Sequence, residues 1–252
     1  NGTVAIGKDA LKILTTGGGN TAVGYQAGTA ITKGRYSTAI GYRALYTEDV
    51  GDESTAVGYG ALFSQNSDSD NESTGNTGLG LTAGYYNVTG QNNTYLGYSA
   101  GKGASGQSNS NNTAVGKDAL LAVTTGGSNV AIGSGALQAD TTGIQNVAIG
   151  SYYNASYVGA MAANTEGSEC VAIGTAALQT ANENDNDGTI AIGWGACRVQ
   201  AGTGGAQYAN ATTAVGHKAL TALTTGAGNT ALGYTAGLAI TTGANNTALG
   251  YT

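Results

Sequence analysis

Two short acidic stretches carry the side chains best suited to chemistry in this 252-residue chain. In SDSDNE, Asp68, Asp70 and Glu72 alternate with small polar residues; in ENDNDG, Glu183, Asp185 and Asp187 do the same ahead of Gly188. Carboxylates at alternate positions near a glycine are how a calcium loop begins, because a hard cation gathers roughly six to eight oxygens from one tight turn. The bidentate glutamate that closes such a loop at its twelfth position is missing, since Trp194 stands there when counting from Glu183. A solvated acidic loop shows the same alternation, so calcium is one of two readings of these six residues. No other cofactor is indicated.

Aromatic side chains form the second candidate group. Tyr25, Tyr42, Tyr59, Tyr98 and Tyr234 each directly follow an aliphatic-glycine pair, and Trp194 and the single His217 hold the same place in other stretches. A line of rings can bind sugars or pack ring on ring, and packing is the reading favoured here. His217 reads as a substitute within that line, because no nucleophile and carboxylate accompany it in a catalytic constellation. The glycines lack the strand-loop-helix setting of a phosphate loop. Cys170 and Cys197 are too few and too far apart for a zinc site or a disulfide framework, which leaves isolated buried thiols or a single bridge between them. The chain is expected not to be an enzyme.

What must position these residues is a repeat. A β-branched residue, a small residue, an aliphatic residue and a glycine recur with the glycine at positions 7, 24, 41, 58, 80, 97, 116, 133, 150, 174, 193, 216, 233 and 250. Eight of the thirteen spacings are 17, and the others are 22, 19, 24, 19 and 23. Asparagine stands four before the glycine at Asn20, Asn76, Asn93, Asn112, Asn129, Asn146, Asn229 and Asn246, and alanine stands three after it in nearly every copy. Each 17-residue copy has a second glycine ten after the first, usually closing a Thr-Thr-Gly corner such as 241–243.

A β-branched run closed by glycine is a short strand with a tight corner. Helical repeats are longer and would not tolerate 44 glycines. The expected fold is therefore all-β: a parallel β-solenoid, or β-roll, of about fourteen coils with a 17-residue basic repeat, each coil having two short strands and two corners. It spans 1–252 as one repeat domain, with insertions near 64–75, 103–111, 152–169, 180–188 and 199–211, all expected where one coil passes to the next. The stretch 151–164, SYYNASYVGAMAAN, puts Tyr153 in the alanine column and reads as a bulge or bent loop. Stacking sets like residues on one another, so the asparagines are expected to form a structural ladder.

Neighbouring residues of a strand face opposite ways. Asparagine and alanine thus share the face that suits a narrow interior, and the Val/Ile/Leu column shares the other with threonine. A stripe of outward aliphatics exceeds what a soluble monomer exposes, so other copies are expected to cover it, three chains about one axis being the closed arrangement. The aliphatic face turned inside one wider coil is the alternative.

The N-[TV]-A-[VIL]-G core, as in NTAVGYQAGTAITKG (20–34) and NVAIGSGALQADTTG (129–143), resembles the head repeats of trimeric autotransporter adhesins. It is similar also to repeats of bacteriophage tail fibres and related bacterial tail-fibre-domain proteins, and the likeness runs the whole length of the chain. The adhesin repeat is shorter, so the corners differ. The resemblance implies a homotrimeric, left-handed β-roll on a cell surface or virion, a structural and adhesive extracellular fibre whose partners are its own copies and a cell-surface glycan or protein receptor. An architectural filament joined end to end is the alternative, since the pattern runs to both ends of the chain without polar caps. An ice-binding solenoid is less favoured, because Thr230 shares its face with Leu232 instead of a second threonine. A net charge of −6 with no basic run argues against nucleic acid, and no apolar run approaches a membrane span.

Overall fold

Each copy of the repeat core forms a three-residue strand, and within each of two compact units these strands pair in parallel and in register, copy on copy. The computed structural model describes residues 2–70, 72–156, 158–180, 186–199 and 210–251. Two compact units divide the chain, Asn1–Thr125 and Gly126–Thr252. The first holds β1 (Val4–Ile6), β2 (Thr21–Val23), β3 (Thr38–Ile40), β4 (Thr55–Val57), β5 (Thr77–Leu79), β6 (Thr94–Leu96) and β7 (Thr113–Val115). The second holds β8 (Val130–Ile132), β9 (Val147–Ile149), β10 (Val171–Ile173), β11 (Ile190–Ile192), β12 (Thr213–Val215), β13 (Thr230–Leu232) and β14 (Thr247–Leu249). Within each unit the strands neighbour one another in chain order, and like residues meet: Thr21 opposes Thr38, Ala22 opposes Ala39 and Val23 opposes Ile40. Each unit is a parallel β-solenoid with a coil of about 17 residues.

The period-two reading of the strands fixes inside and outside. Ala22, Ala39, Ala56, Ala131, Ala148 and Ala172 are fully buried, whereas Ile6, Ile40, Leu79, Leu96, Ile132 and Leu232 are exposed. A second column, Ala27, Ala44, Ala61, Ala100, Ala119 and Ala136, closes the opposite wall. The aliphatic column therefore points outward, and the wider coil that would enclose it does not form.

Only one strand forms per coil among the described residues, where two were expected. Past the corner glycine the chain instead takes positive φ at alternate residues, as at Arg43 (51°) and Leu45 (51°), or Asp118 (55°) and Leu120 (52°). Backbone of that kind cannot extend into a strand, yet it still stitches coil to coil: the Leu45 N–H donates to the Ala61 carbonyl (3.0 Å) and the Arg43 N–H to the Tyr25 carbonyl (2.9 Å). A leucine in the left-handed region is uncommon. Burial offsets the strain, since Leu45, Leu62, Leu120, Leu137, Leu178 and Leu220 are wholly enclosed. Hence the column four past the corner glycine holds mostly leucine, which gains burial, or glycine, which has no strain; Cys197 and, after the insertion, Met161 take the leucine place and are likewise fully buried.

The second glycine also has a different reason from the expected one. Gly34 is not left-handed; a Cβ there would lie 2.6 Å from the carbonyl oxygen of Gly51 in the next coil. The positive φ falls two residues later, at Tyr36 (58°), Asn92 (58°) and Ser128 (59°). Close coil-to-coil approach, and not turn conformation, requires glycine at that corner, with Gly226 (φ 107°) the exception.

One insertion departs from the expected placing. Ser151–Gly159 interrupts the first corner, directly after Gly150, and not the passage between coils. The Tyr152 N–H still donates to the Ser134 carbonyl (3.0 Å), and on the far side of the insertion the Ala176 N–H donates to the Val158 carbonyl (3.0 Å). Ala160 is fully buried, its N–H reaching back to the Gly150 carbonyl (3.3 Å). Ala160, and not Tyr153, therefore holds this coil's place in the alanine column.

Candidate functional site

Asp70 pairs with Lys33 Nζ at 2.6 Å, and Glu72 accepts from the Asp68 N–H (3.2 Å) and from the Gln91 side chain. Asp187 accepts the Ser168 N–H at 2.7 Å, while Glu183 and Asp185 lie outside the described residues. No group of three or more His, Cys, Asp or Glu side chains able to hold a metal occurs among the described residues. No helix there is long and apolar enough to cross a membrane.

The asparagine column is a set of clamps more than a chain of amides. Asn129 Nδ2 donates to the Gly143 carbonyl (2.8 Å) at the second-glycine corner, and its Oδ1 accepts the Asn146 N–H (2.9 Å) one coil on. Asn20, Asn76, Asn93 and Asn229 repeat that two-sided contact, and Asn112 N–H completes it below Asn93 at 2.9 Å. Direct amide-to-amide bonds occur at Asn93 to Asn76 (3.0 Å) and Asn246 to Asn229 (2.9 Å). Each side chain thereby ties the strand corner to the opposite corner and to the next coil.

The aromatic column stacks. Tyr25, Tyr42 and Tyr59 lie ring on ring with centroids 5.3 and 5.0 Å apart. In the second unit Trp194, His217, Tyr234 and Tyr251 form a run with 5.1 Å steps and planes within 14°. His217 is a ring in that stack, as its place in the sequence implied. Tyr98 has Lys117 Nζ over its ring at 5.6 Å instead of a neighbour's ring. A second ladder, Tyr46, Phe63 and Tyr85, runs parallel at 5.0 and 4.7 Å, with the Arg43 guanidinium between the two columns, 5.2 Å from the Tyr42 ring and 5.1 Å from the Tyr46 ring. Rings stacked in this way spend their faces on each other and show solvent their edges, so a sugar cannot lie flat on them.

Inside the coils runs a polar file that the repeat core does not include. Glu48, Gln65, Asn87 and Asn109 line the first unit, and Asp140, Asn164 and Asn186 the second, all buried. Glu48 accepts the Gly51 N–H (2.7 Å) and both the N–H and hydroxyl of Ser67 (3.2 and 3.3 Å). Asp140 accepts from Asn164 Nδ2 at 2.9 Å, but its Oδ2 has no partner. Burial pushes the Asp140 carboxyl up to about 7, against the pull of Asn164 and the Gly143 N–H. The signal was available: seven after the corner glycine stand Ile31, Val123 and Leu223 in some copies, and Glu48, Gln65, Asn87 and Asp140 in others. Polar residues in an otherwise apolar column mark a buried polar contact.

Cys170 and Cys197 are free and buried in different columns, and burial raises their thiols to about 11 and about 12. Thiols so far above neutrality are poor nucleophiles.

In each unit the outer face of the strands presents a threonine or valine rank beside an aliphatic rank. Through β1–β7 the aliphatic rank extends about 29 Å at roughly 4.8 Å per step. Comparison with protein-family models, with curated proteins and with solved structures finds no match to this chain. Function must therefore be argued from the faces of the coil.

Proposed function

We propose that the chain is a segment of a structural, adhesive fibre that works outside the cell or on a virion, with copies of itself packed on the outward aliphatic face. The observation that carries this reading is that face: Ile6, Ile40, Leu79 and Leu96 in one unit, and Ile132, Leu232 and Leu249 in the other, are exposed on strands stacked in register. Scattered surface aliphatics need no explanation, but a continuous file of them marks a contact. Three copies about one axis bury all three files in a closed arrangement. The likeness of the N-[TV]-A-[VIL]-G core to adhesin heads and tail fibres supports the same assembly.

A fibre built this way spends its repeated columns on stiffness and keeps its inserted loops for contact. Its partners are its own copies and a glycan or protein receptor. The test is the mass of the native particle by light scattering or analytical ultracentrifugation. Three times the 24.7 kDa chain mass is the expected result; a clean monomer at micromolar concentration sinks the assembly.

A further inference from the structure

Among the tyrosines of this chain, Tyr152 and Tyr153 are placed unlike the ladder residues. They stand in the insertion Ser151–Gly159, on the corner that carries Trp194 two coils later, and they are 52% and 75% exposed. No ring of another described residue stacks on either, whereas Tyr25, Tyr42, Tyr59 and Tyr234 have neighbours about 5 Å away on their faces. The base of the loop is fixed. The Tyr152 N–H is bonded to the Ser134 carbonyl (3.0 Å), Thr175 Oγ1 to the Ser151 carbonyl (3.0 Å), and the Ala160 N–H to the Gly150 carbonyl (3.3 Å). Within the loop the Ser156 N–H closes on Asn154 Oδ1 at 2.9 Å. Two exposed aromatic side chains thus stand on a tied loop, with no ring of another described residue stacked on them.

We infer that this loop is a contact site for a neutral carbohydrate, whose sugar rings lie on the open faces of Tyr152 and Tyr153. The inference deepens the adhesive reading above and rests on it. Three observations select the ligand class. Residues 151–156, SYYNAS, carry no charge, so they offer nothing to an acidic glycan, a phosphate or a charged peptide. The apolar C–H face of a sugar matches the negative face of an aromatic ring, while Ser151, Ser156 and the two phenols supply hydroxyl partners of the kind sugar hydroxyls need. The size also fits: two tyrosines exposed to this extent offer on the order of 250 Å², taking 150–250 Å² per ring, far below the roughly 800 Å² per partner of a stable protein interface. A sugar unit or two fills such a site; a protein does not.

The experiment titrates the whole native chain with cellohexaose, maltohexaose and chitohexaose by isothermal calorimetry. The expected result is binding of at least one of the three, weakened roughly tenfold or more by Tyr153→Ala and abolished by Tyr152→Ala/Tyr153→Ala. Tyr153→Phe, which keeps the ring face, should bind within about threefold of the native chain, and Tyr42→Ala in the stacked ladder should not change binding. No binding of any of the three sugars by the native chain overturns the inference, as does undiminished binding by the double variant. Particle mass, measured on the same samples, reads the fibre assembly separately: a trimer that binds no sugar sinks the loop site alone, and a monomer sinks the assembly alone. Circular dichroism on each variant confirms that the exposed substitutions leave the fold intact.

Discussion

The phenol of Tyr95 donates to the carboxamide oxygen of Asn109, and both residues break the column in which they stand. Tyr95 occupies an alanine position in β6, and Asn109 sits at the second-glycine corner, in line with Gly90. The exceptions compensate one another. Gly78 lies beside Tyr95 in β5, and a Cβ on Gly84 would come within 2.6 Å of the tyrosine ring; one on Gly101 would overlap it. Asn109 Oδ1 also accepts Asn112 Nδ2 at 2.9 Å, so the buried phenol joins the asparagine clamps. Burial raises this phenol far above its usual range, so it stays a donor throughout the working pH range.

Removing the ring should therefore cost more than removing the hydroxyl. Tyr95→Phe is expected to lose about 1–2 kcal/mol of unfolding free energy and Tyr95→Ala about 3–5 kcal/mol. Gly101→Ala should be severe in the native background and much milder when combined with Tyr95→Ala, because its main obstacle is then gone. A denaturant double-mutant cycle measures that coupling, and additive effects would contradict the packing described here.

Much of this arrangement was readable beforehand, and the residues show why. The alternation in Asn20-Thr21-Ala22-Val23 fixes inside from outside, because strand side chains have a period of two and only small residues fit the narrow interior. The one-strand coil was not readable: Thr-Thr-Gly and Ala-Leu segments carry the same composition whether they extend or turn, and the positive φ of Leu45 is affordable only because neighbouring coils enclose it. Ala160 was hidden for another reason. Spacing alone cannot say on which side of an insertion the chain rejoins its column. The polar file of Glu48 and Asp140 shows only when columns are aligned well away from the anchor glycine.

Asp140 makes stability depend on pH. In the unfolded chain its carboxyl titrates near 3.8, and in the folded chain near 7. The folded state therefore holds a proton that the unfolded state releases between those values. Its contribution is complete below about pH 4 and is lost as pH rises through 7, a difference of about 4 kcal/mol at 1.36 kcal/mol per pH unit. Asp140→Asn supplies an uncharged isostere in a file already containing Asn164 and Asn186. It should exceed the native chain in stability at pH 8 by several kcal/mol and roughly match it at pH 4. Equal stability of the two proteins at pH 8 would show that the buried carboxyl carries no such cost.

Asn129 gives a direct test of the clamps. Asn129→Ala removes the bond to the Gly143 carbonyl and leaves the buried Asn146 N–H without its Oδ1 acceptor. An unsatisfied buried group costs about 1–3 kcal/mol beyond the lost bond. The expected loss is about 2–4 kcal/mol, with early hydrogen exchange at Asn146. Protection of the Asn146 amide equal to that in the native chain would rule the clamp out.

The outward aliphatic file yields the prediction with the widest reach. Ile40 and Leu79 are exposed within a single chain, so a charge there need not disturb the coil: Ala39 and Gly78, not these residues, face the interior. Exposed substitutions of that sort usually change single-chain stability by about 0.5 kcal/mol or less. In an assembly that buries the file, however, each copy would place an unpaired carboxylate in an apolar seam, and such a charge is strongly unfavourable without a partner. Ile40→Glu/Leu79→Glu is thus expected to reduce the native mass to that of one chain at micromolar concentration while its circular dichroism stays that of the native protein. Lys12→Glu, on an exposed turn away from the strand face, serves as the control and should leave the mass unchanged. A multimer that survives the double substitution would place the interface elsewhere on the coil and leave the aliphatic file without its proposed role.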